Sequence, residues 1–140
     1  MKKLLLVIPC LIWGLSARCQ SVSVKDIVEI LHDKDVSQLI TKKAFSLVGS
    51  DLGDFKTYVK NSRSANQEKI YIAGPSVTYS TKSKAFVHQL LVQLKSKYRA
   101  TIKDDKADYV FYQFEDQGTR VSVNVPKAGS EYCTVTARNK

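Results

Sequence analysis

The chain is poor in the residues on which most protein chemistry depends. Its 140 residues include two histidines, three cysteines, one tryptophan and one methionine. The ligand spacings CxxC and HExxH are absent, so a zinc site has no support. GxxxxGK[ST], GxGxxG and GxSxG are absent too, which removes phosphate-cradling loops and a nucleophile elbow. Asp104-Asp105-Lys106-Ala107-Asp108 lacks the glycine and the distal glutamate of a calcium loop. Beyond the N-terminal stretch no apolar run approaches the roughly 18 residues that span a bilayer, which excludes a polytopic membrane protein. Acidic residues are the scarcer charge, 13 against 22 basic, for a formal +9.

What is present is an ordinary globular composition. Apolar residues make up 44% and charged residues 25% of the chain, enough apolar surface to argue against disorder and a length suited to one domain.

The N-terminus has the order of a secretory leader. Lys2 and Lys3 are basic, Leu4 to Leu15 is almost wholly apolar, and Ser16-Ala17-Arg18-Cys19-Gln20 is a polar exit. Ala17 and Cys19 supply the small side chains a signal peptidase needs, so cleavage is expected before Gln20; a cut after Ala17 is the second choice. Lipid attachment at Cys19 is disfavoured by Arg18, a long cation where such sites carry a small residue. The expected organisation is therefore a signal peptide over 1–19 and a single α+β domain over 20–140, periplasmic or secreted. Removal of the leader leaves 19 basic and 13 acidic residues, a formal +6, with no tryptophan and Cys133 as the sole cysteine. No intramolecular disulfide can then form, and an apolar core alone must hold the fold.

Hydrophobic spacing predicts the elements. Val24, Ile27, Val28, Ile30 and Leu31 recur at helical intervals. His32 to Asp35 breaks that helix, and Asp35 is expected to cap a second one ending near Lys43. Ala44 to Val48 reads as extended and Gly49 to Gly53 as a turn. Short strands are expected at Phe55–Val59, Lys69–Ala73 and Ser76–Ser80, with Gly74-Pro75 between the last two. Phe86, Val87, Leu90, Leu91, Leu94 and Tyr98 make the stripe of a long helix over Ser83–Tyr98. Three strands are expected after it: Asp108–Phe114, continuous enough to suggest a central strand covered on both faces; Thr119–Val125, with Val121, Val123 and Val125 inward; and Glu131–Ala137, with Cys133, Val135 and Ala137 on one face.

The fold class is accordingly α+β, a mainly antiparallel sheet with helices packed on one face. A weak internal repeat points to two helix-then-meander units. Gln38–Lys42 resembles Gln93–Lys97 at an offset of 55, and Gly53–Tyr58 resembles Ala107–Tyr112 at an offset of 54. Duplication and the coincidence of two amphipathic α+β units both account for it.

The segment Leu39-Ile40-Thr41-Lys42-Lys43-Ala44-Phe45 and the strand end Thr78-Tyr79-Ser80-Thr81 before the long helix resemble a group of small secreted proteins of Bacteroidetes that have no assigned activity. This chain departs from the pattern in having Ala44 where glycine is expected and no tryptophan after Phe45. The repeated helix-then-meander architecture is similar to the β-lactamase-inhibitor-like fold, and that resemblance implies binding to other proteins in the cell envelope. Fold alone does not fix function.

The remaining candidates for chemistry are few. His32 lies in a polar helix break, His88 on the flank of the long helix, and Cys133 among inward strand residues, where a small buried hydrophobe is the stronger reading. Carboxylates at Asp51/Asp54, Asp104/Asp105/Asp108 and Glu115/Asp116 fall where turns are expected. Lys82, Lys84, Lys95, Lys97, Arg99 and Lys103 surround the long helix, and Tyr71, Tyr79 and Tyr112 could lie near them, a nucleic-acid-like mixture without a recognition motif. No catalytic, cofactor-binding or metal residue is assigned, and no cofactor is expected. The expected role is a noncatalytic binding or accessory protein of the envelope, docking a protein partner through a sheet face or edge, with outward Arg120, Ser122 and Asn124 as candidates. The alternatives are a small hydrolase of envelope polymers and a binder of anionic lipid or polymer surfaces.

Overall fold

The computed structural model describes residues 22–50, 55–61, 67–129 and 131–140. The leader assigned to 1–19 and the Asp51/Asp54 pair lie outside them. The first helix, α1 (Val24–Asp33), buries Val24, Ile27, Ile30 and Leu31. Its start is fixed by a capping box. The Asp26 backbone N–H donates to the Ser23 hydroxyl, and the Ser23 N–H donates to the Asp26 carboxylate at 2.6 Å. Lys34, in the left-handed region at φ 55°, ends the helix. The second helix, α2 (Ser37–Lys43), has Val36 rather than Asp35 as its N-cap. Asp35 still accepts from the Ser37 N–H at 2.8 Å, so it anchors the same turn from one residue further out.

Two four-stranded meanders follow the helices. The first comprises β1 (Ser46–Ser50), β2 (Phe55–Lys60), β3 (Glu68–Ala73) and β4 (Ser76–Thr81). The β3–β4 hairpin turns at Gly74-Pro75, with Gly74 at φ 49°, a conformation that glycine adopts without strain. After α3 (Lys84–Lys97), capped by Ser83, come β5 (Arg99–Asp105), β6 (Tyr109–Glu115), β7 (Thr119–Pro126) and β8 (Cys133–Asn139). All pairings are antiparallel and the strand order is β1-β2-β3-β4-β8-β7-β6-β5. Each helix-and-meander unit thus ends on the strand that joins it to the other. β4 pairs with β8 from Ser76↔Arg138 to Thr81↔Cys133, and one eight-stranded sheet results. Each outer strand also carries an irregularity near its start, between Leu47 and Gly49 in β1 and between Ala100 and Ile102 in β5.

Three expectations are corrected. Four strands, not three, follow α3. Arg99–Asp105 is the sheet edge β5, so Asp104 and Asp105 sit on a strand rather than in a turn. β6 is second from the edge and not central. Its aromatic run divides between faces, with Tyr112 and Phe114 toward the core and Tyr109 and Phe111 away from it. β1 continues through Gly49 and Ser50, where a turn was expected.

The core lies between the helices and one face of the sheet. Ile70, Val77, Tyr79, Val121, Val123, Val135 and Ala137 from the strands meet Ile27, Leu31, Leu39, Val87, Leu90 and Leu94 from the helices, all buried. Side chains alternate along a strand, so one face of the sheet takes this apolar set and the other takes the residues between.

Candidate functional site

Among the described residues no helix covers the second face of the sheet, although Val59 and Ser80 at one end of it are buried. Register carries a row across it: Thr57, Tyr71, Thr78, Thr136, Ser122, Gln113 and Ile102. Thr78 and Thr136 share a hydroxyl hydrogen bond of 2.9 Å at the junction of the two units. Phe55 stacks on Tyr71 at one side of the face, with ring centroids 6.3 Å apart, and Tyr109 and Phe111 lie at the other. A neighbouring row runs Ser76, Arg138, Arg120, Glu115, Arg99. Arg120 and Arg138 stand opposite each other, a repulsive cross-strand pair. Glu115 relieves it, because Arg120 donates to its carboxylate at 2.7 Å and Lys140 lies 3.0 Å from the other oxygen. These two contacts hold the Glu115 carboxyl below the ordinary glutamate range, Lys140 first and Arg120 second. Arg138 remains exposed.

The candidates Arg120, Ser122 and Asn124 do share this face, on alternate positions of β7. The Asn124 Oδ1 is buried and is the one such side-chain oxygen among the described residues without a hydrogen-bond partner. A buried acceptor left unpaired costs about 1–3 kcal/mol.

Other polar residues are buried on the helix side. Lys60 and Glu68, with side chains 4% and 8% exposed, form an ion pair of 3.5 Å. The Tyr79 hydroxyl donates to Glu68 at 2.7 Å, and the Lys60 ammonium lies 5.7 Å from the centre of the Phe45 ring. Burial, reinforced by the Glu68 carboxylate, pushes the Tyr79 hydroxyl far above its ordinary pKa. At these exposures a substrate has no approach, and the cluster reads as a pinned crossing of β2, β3 and β4. It was findable in the sequence: Lys60 and Glu68 fall in phase with the inward Tyr58 and Ile70. Lys43 and Asp26 form a further pair of 3.0 Å. Burial opposes ionisation of Asp26, but hydrogen bonds from Ser23 and the contact with Lys43 prevail and hold its carboxyl below the usual range.

The sequence candidates for chemistry do not converge. His32 is in the last turn of α1, with Nε2 3.2 Å from the Thr119 hydroxyl, and not in a helix break. His88 is exposed on α3. Cys133 is buried and free, and burial raises its thiol pKa, whereas a nucleophilic cysteine needs it lowered. Among the described residues no group of three or more His, Cys, Asp or Glu side chains is placed to hold a metal ion. The small notch between α1 and α2 is acidic, with Asp26, Glu29, Asp33 and Asp35 around about 70 Å³. Asp104 pairs with Lys106 at 2.8 Å and Asp105 with Lys127 at 2.7 Å. Nor do the lysines and tyrosines assemble as one surface. Tyr79 is in the core and Tyr71 is on the open face, which leaves Tyr112, with Lys95 6.0 Å from its ring centre, beside the long helix. No helix among the described residues is long and apolar enough to cross a membrane.

Compared with family models, curated proteins and solved structures, the chain finds no match.

Proposed function

We propose that this is an exported, noncatalytic binding protein of the cell envelope that docks a protein partner on the open face of its sheet. The observation that supports the reading is the row Thr57–Tyr71–Thr78–Thr136–Ser122–Gln113–Ile102, which no helix among the described residues covers and which runs through both units. Eight strands span roughly 34 Å, a width suited to a standard interface of ~800 Å² per partner. Hydroxyls and amides at the centre with aromatic rings on both flanks give adaptable hydrogen bonds beside rigid contact area. Lys69, Arg99, Arg120 and Arg138 outnumber Glu115 and Asp104 on this face, so the favoured partner surface is acidic. The resemblance to the secreted Bacteroidetes proteins and to the β-lactamase-inhibitor-like architecture agrees with this reading. Against a hydrolase stands the placement of the carboxylates Asp104, Asp105 and Glu115, each paired with lysine or arginine, and of Asp26, Glu29, Asp33 and Asp35 around the small notch.

The test is site-specific photo-crosslinking in envelope extract, with the photoreactive residue at Ser122, at Thr136 or at the helix-side His88. The expected result is one and the same protein adduct from Ser122 and Thr136, weakened by salt, and none from His88. Adducts from His88 alone, or unrelated adducts at the two sheet positions, contradict the proposal.

A further inference from the structure

A second site lies on the helix side of the other sheet edge. A groove of about 330 Å³ opens between α3 and β5, and Lys95, Lys103, Ile102, Tyr112 and Phe114 line it. That volume is at the lower end of small-molecule sites, which are mostly apolar with a few placed polar groups. Here the apolar part is aromatic. Phe114 is buried, Tyr112 is half-buried, and Ile102 is 45% exposed at the rim. The polar part is cationic. Neither Lys95 nor Lys103 has an ion pair among the described residues, although Asp105 is near enough to Lys103 to feel its charge, while Lys106 and Lys127 each hold an aspartate. The Lys95 ammonium instead stands 6.0 Å from the centre of the Tyr112 ring.

The first unit fills its own junction of helix and outer strand with a buried aromatic ring. Phe45 precedes β1 as Tyr98 precedes β5, and each backbone N–H bonds back to a helix leucine, Leu39 at 3.0 Å and Leu94 at 2.8 Å. Phe45 is 1% exposed, with Lys60 against its ring. Tyr98 is half-buried, and the groove opens along the strand it leads into.

We infer that this groove binds a small amphipathic carboxylate, its chain or ring on Tyr112 and its anionic end between Lys95 and Lys103. Two cations without an ion pair among the described residues, beside a half-buried aromatic ring, favour an anion with an apolar body over a neutral ligand or a fully hydrated anion. Apart from Ile102, which ends the open-face row at this edge, Lys95, Lys103, Tyr112 and Phe114 lie on the helix side, so either site can fail without the other.

Decanoate, decanol and acetate, titrated into the isotope-labelled full chain, test it by backbone amide NMR. Decanoate is expected to give saturable shifts confined to residues 100–103, 112–114 and the last turn of α3. Decanol and acetate are expected to bind at least fivefold more weakly, the range for losing two exposed charge contacts or the apolar contact. The double variant Lys95→Gln/Lys103→Gln, with an otherwise unchanged spectrum, is expected to lose about five- to tenfold in decanoate affinity. Shifts scattered over the surface, equal binding of decanol, or a double variant that binds decanoate normally each overturn the inference.

Discussion

The two units share a path and spend their polar residues differently. In the first, two helices cover the meander, Phe45 seals the junction of helix and strand, and charges are taken inside as Lys43–Asp26 and Lys60–Glu68–Tyr79. In the second, one helix serves, Tyr98 is half-buried in the matching place, and the ion pairs Lys106–Asp104, Lys127–Asp105 and Arg120–Glu115 stay toward solvent. A repeated scaffold can thus be locked in one half and left open in the other. The buried pairs fix one arrangement of the first meander, since a buried charge without its partner is costly. The second unit rests on Leu90, Leu94, Phe114 and Val121 and leaves its edge accessible.

The comparison can be broken by substitution. The largest effect is expected for Lys60→Met, which strands Glu68 in the core and should cost about 3–5 kcal/mol in urea unfolding. Arg120→Met on the second unit should change the same measurement little; equal losses would show that burial does not separate the units. Phe45→Ala should cost a similar 3–5 kcal/mol, with Tyr98→Ala clearly less by thermal melting. Tyr79→Phe, which removes one donor from Glu68 and keeps the ring, should cost about 1–3 kcal/mol. A smaller effect belongs to Asp26. Its native carboxyl is below the ordinary aspartate value of 3.8, so its contribution is present above that pH and is lost as pH falls through the native value. Stability of Asp26→Asn measured against pH should therefore converge with wild type in strong acid and fall short of it at neutral pH. The slightest perturbation is chemical: Cys133 should resist alkylation in the native protein and react once urea unfolds it, as mass spectrometry of its peptide will report.

Where packing writes a period into the chain, the fold was legible. Val121, Val123 and Val125 alternate with Arg120, Ser122 and Asn124 because β7 has a core on one side and an open face on the other. α3 was legible for the same reason, its buried Val87, Leu90, Leu91 and Leu94 falling on one stripe. β5 was not, because an edge strand with nearly every residue exposed has no alternation to display; Arg99-Ala100-Thr101-Ile102-Lys103-Asp104-Asp105 reads as a charged loop. Its charges are what an edge needs to resist pairing with another chain. β6 misled in the other direction. Tyr109 and Phe111 signalled burial on both faces, but they sit on the open one, so continuity of apolar residues located the strand and misplaced it in the sheet. The open face itself was legible only as the outward positions of single strands. That seven strands bring such positions into one row depends on the β4–β8 pairing, a contact about 57 residues apart that local pattern does not encode.

One face of the sheet is packed and the other carries no helix among the described residues, and neighbouring residues of β8 separate the two. Val135 is buried in the core, and Thr136 next to it lies on the open face opposite Thr78 and Ser122. Val135→Lys and Thr136→Lys should be compared by thermal unfolding. The expected result is a folded Thr136→Lys protein melting within a few degrees of wild type and a Val135→Lys protein without a cooperative transition. Loss of the transition in both would contradict an open face.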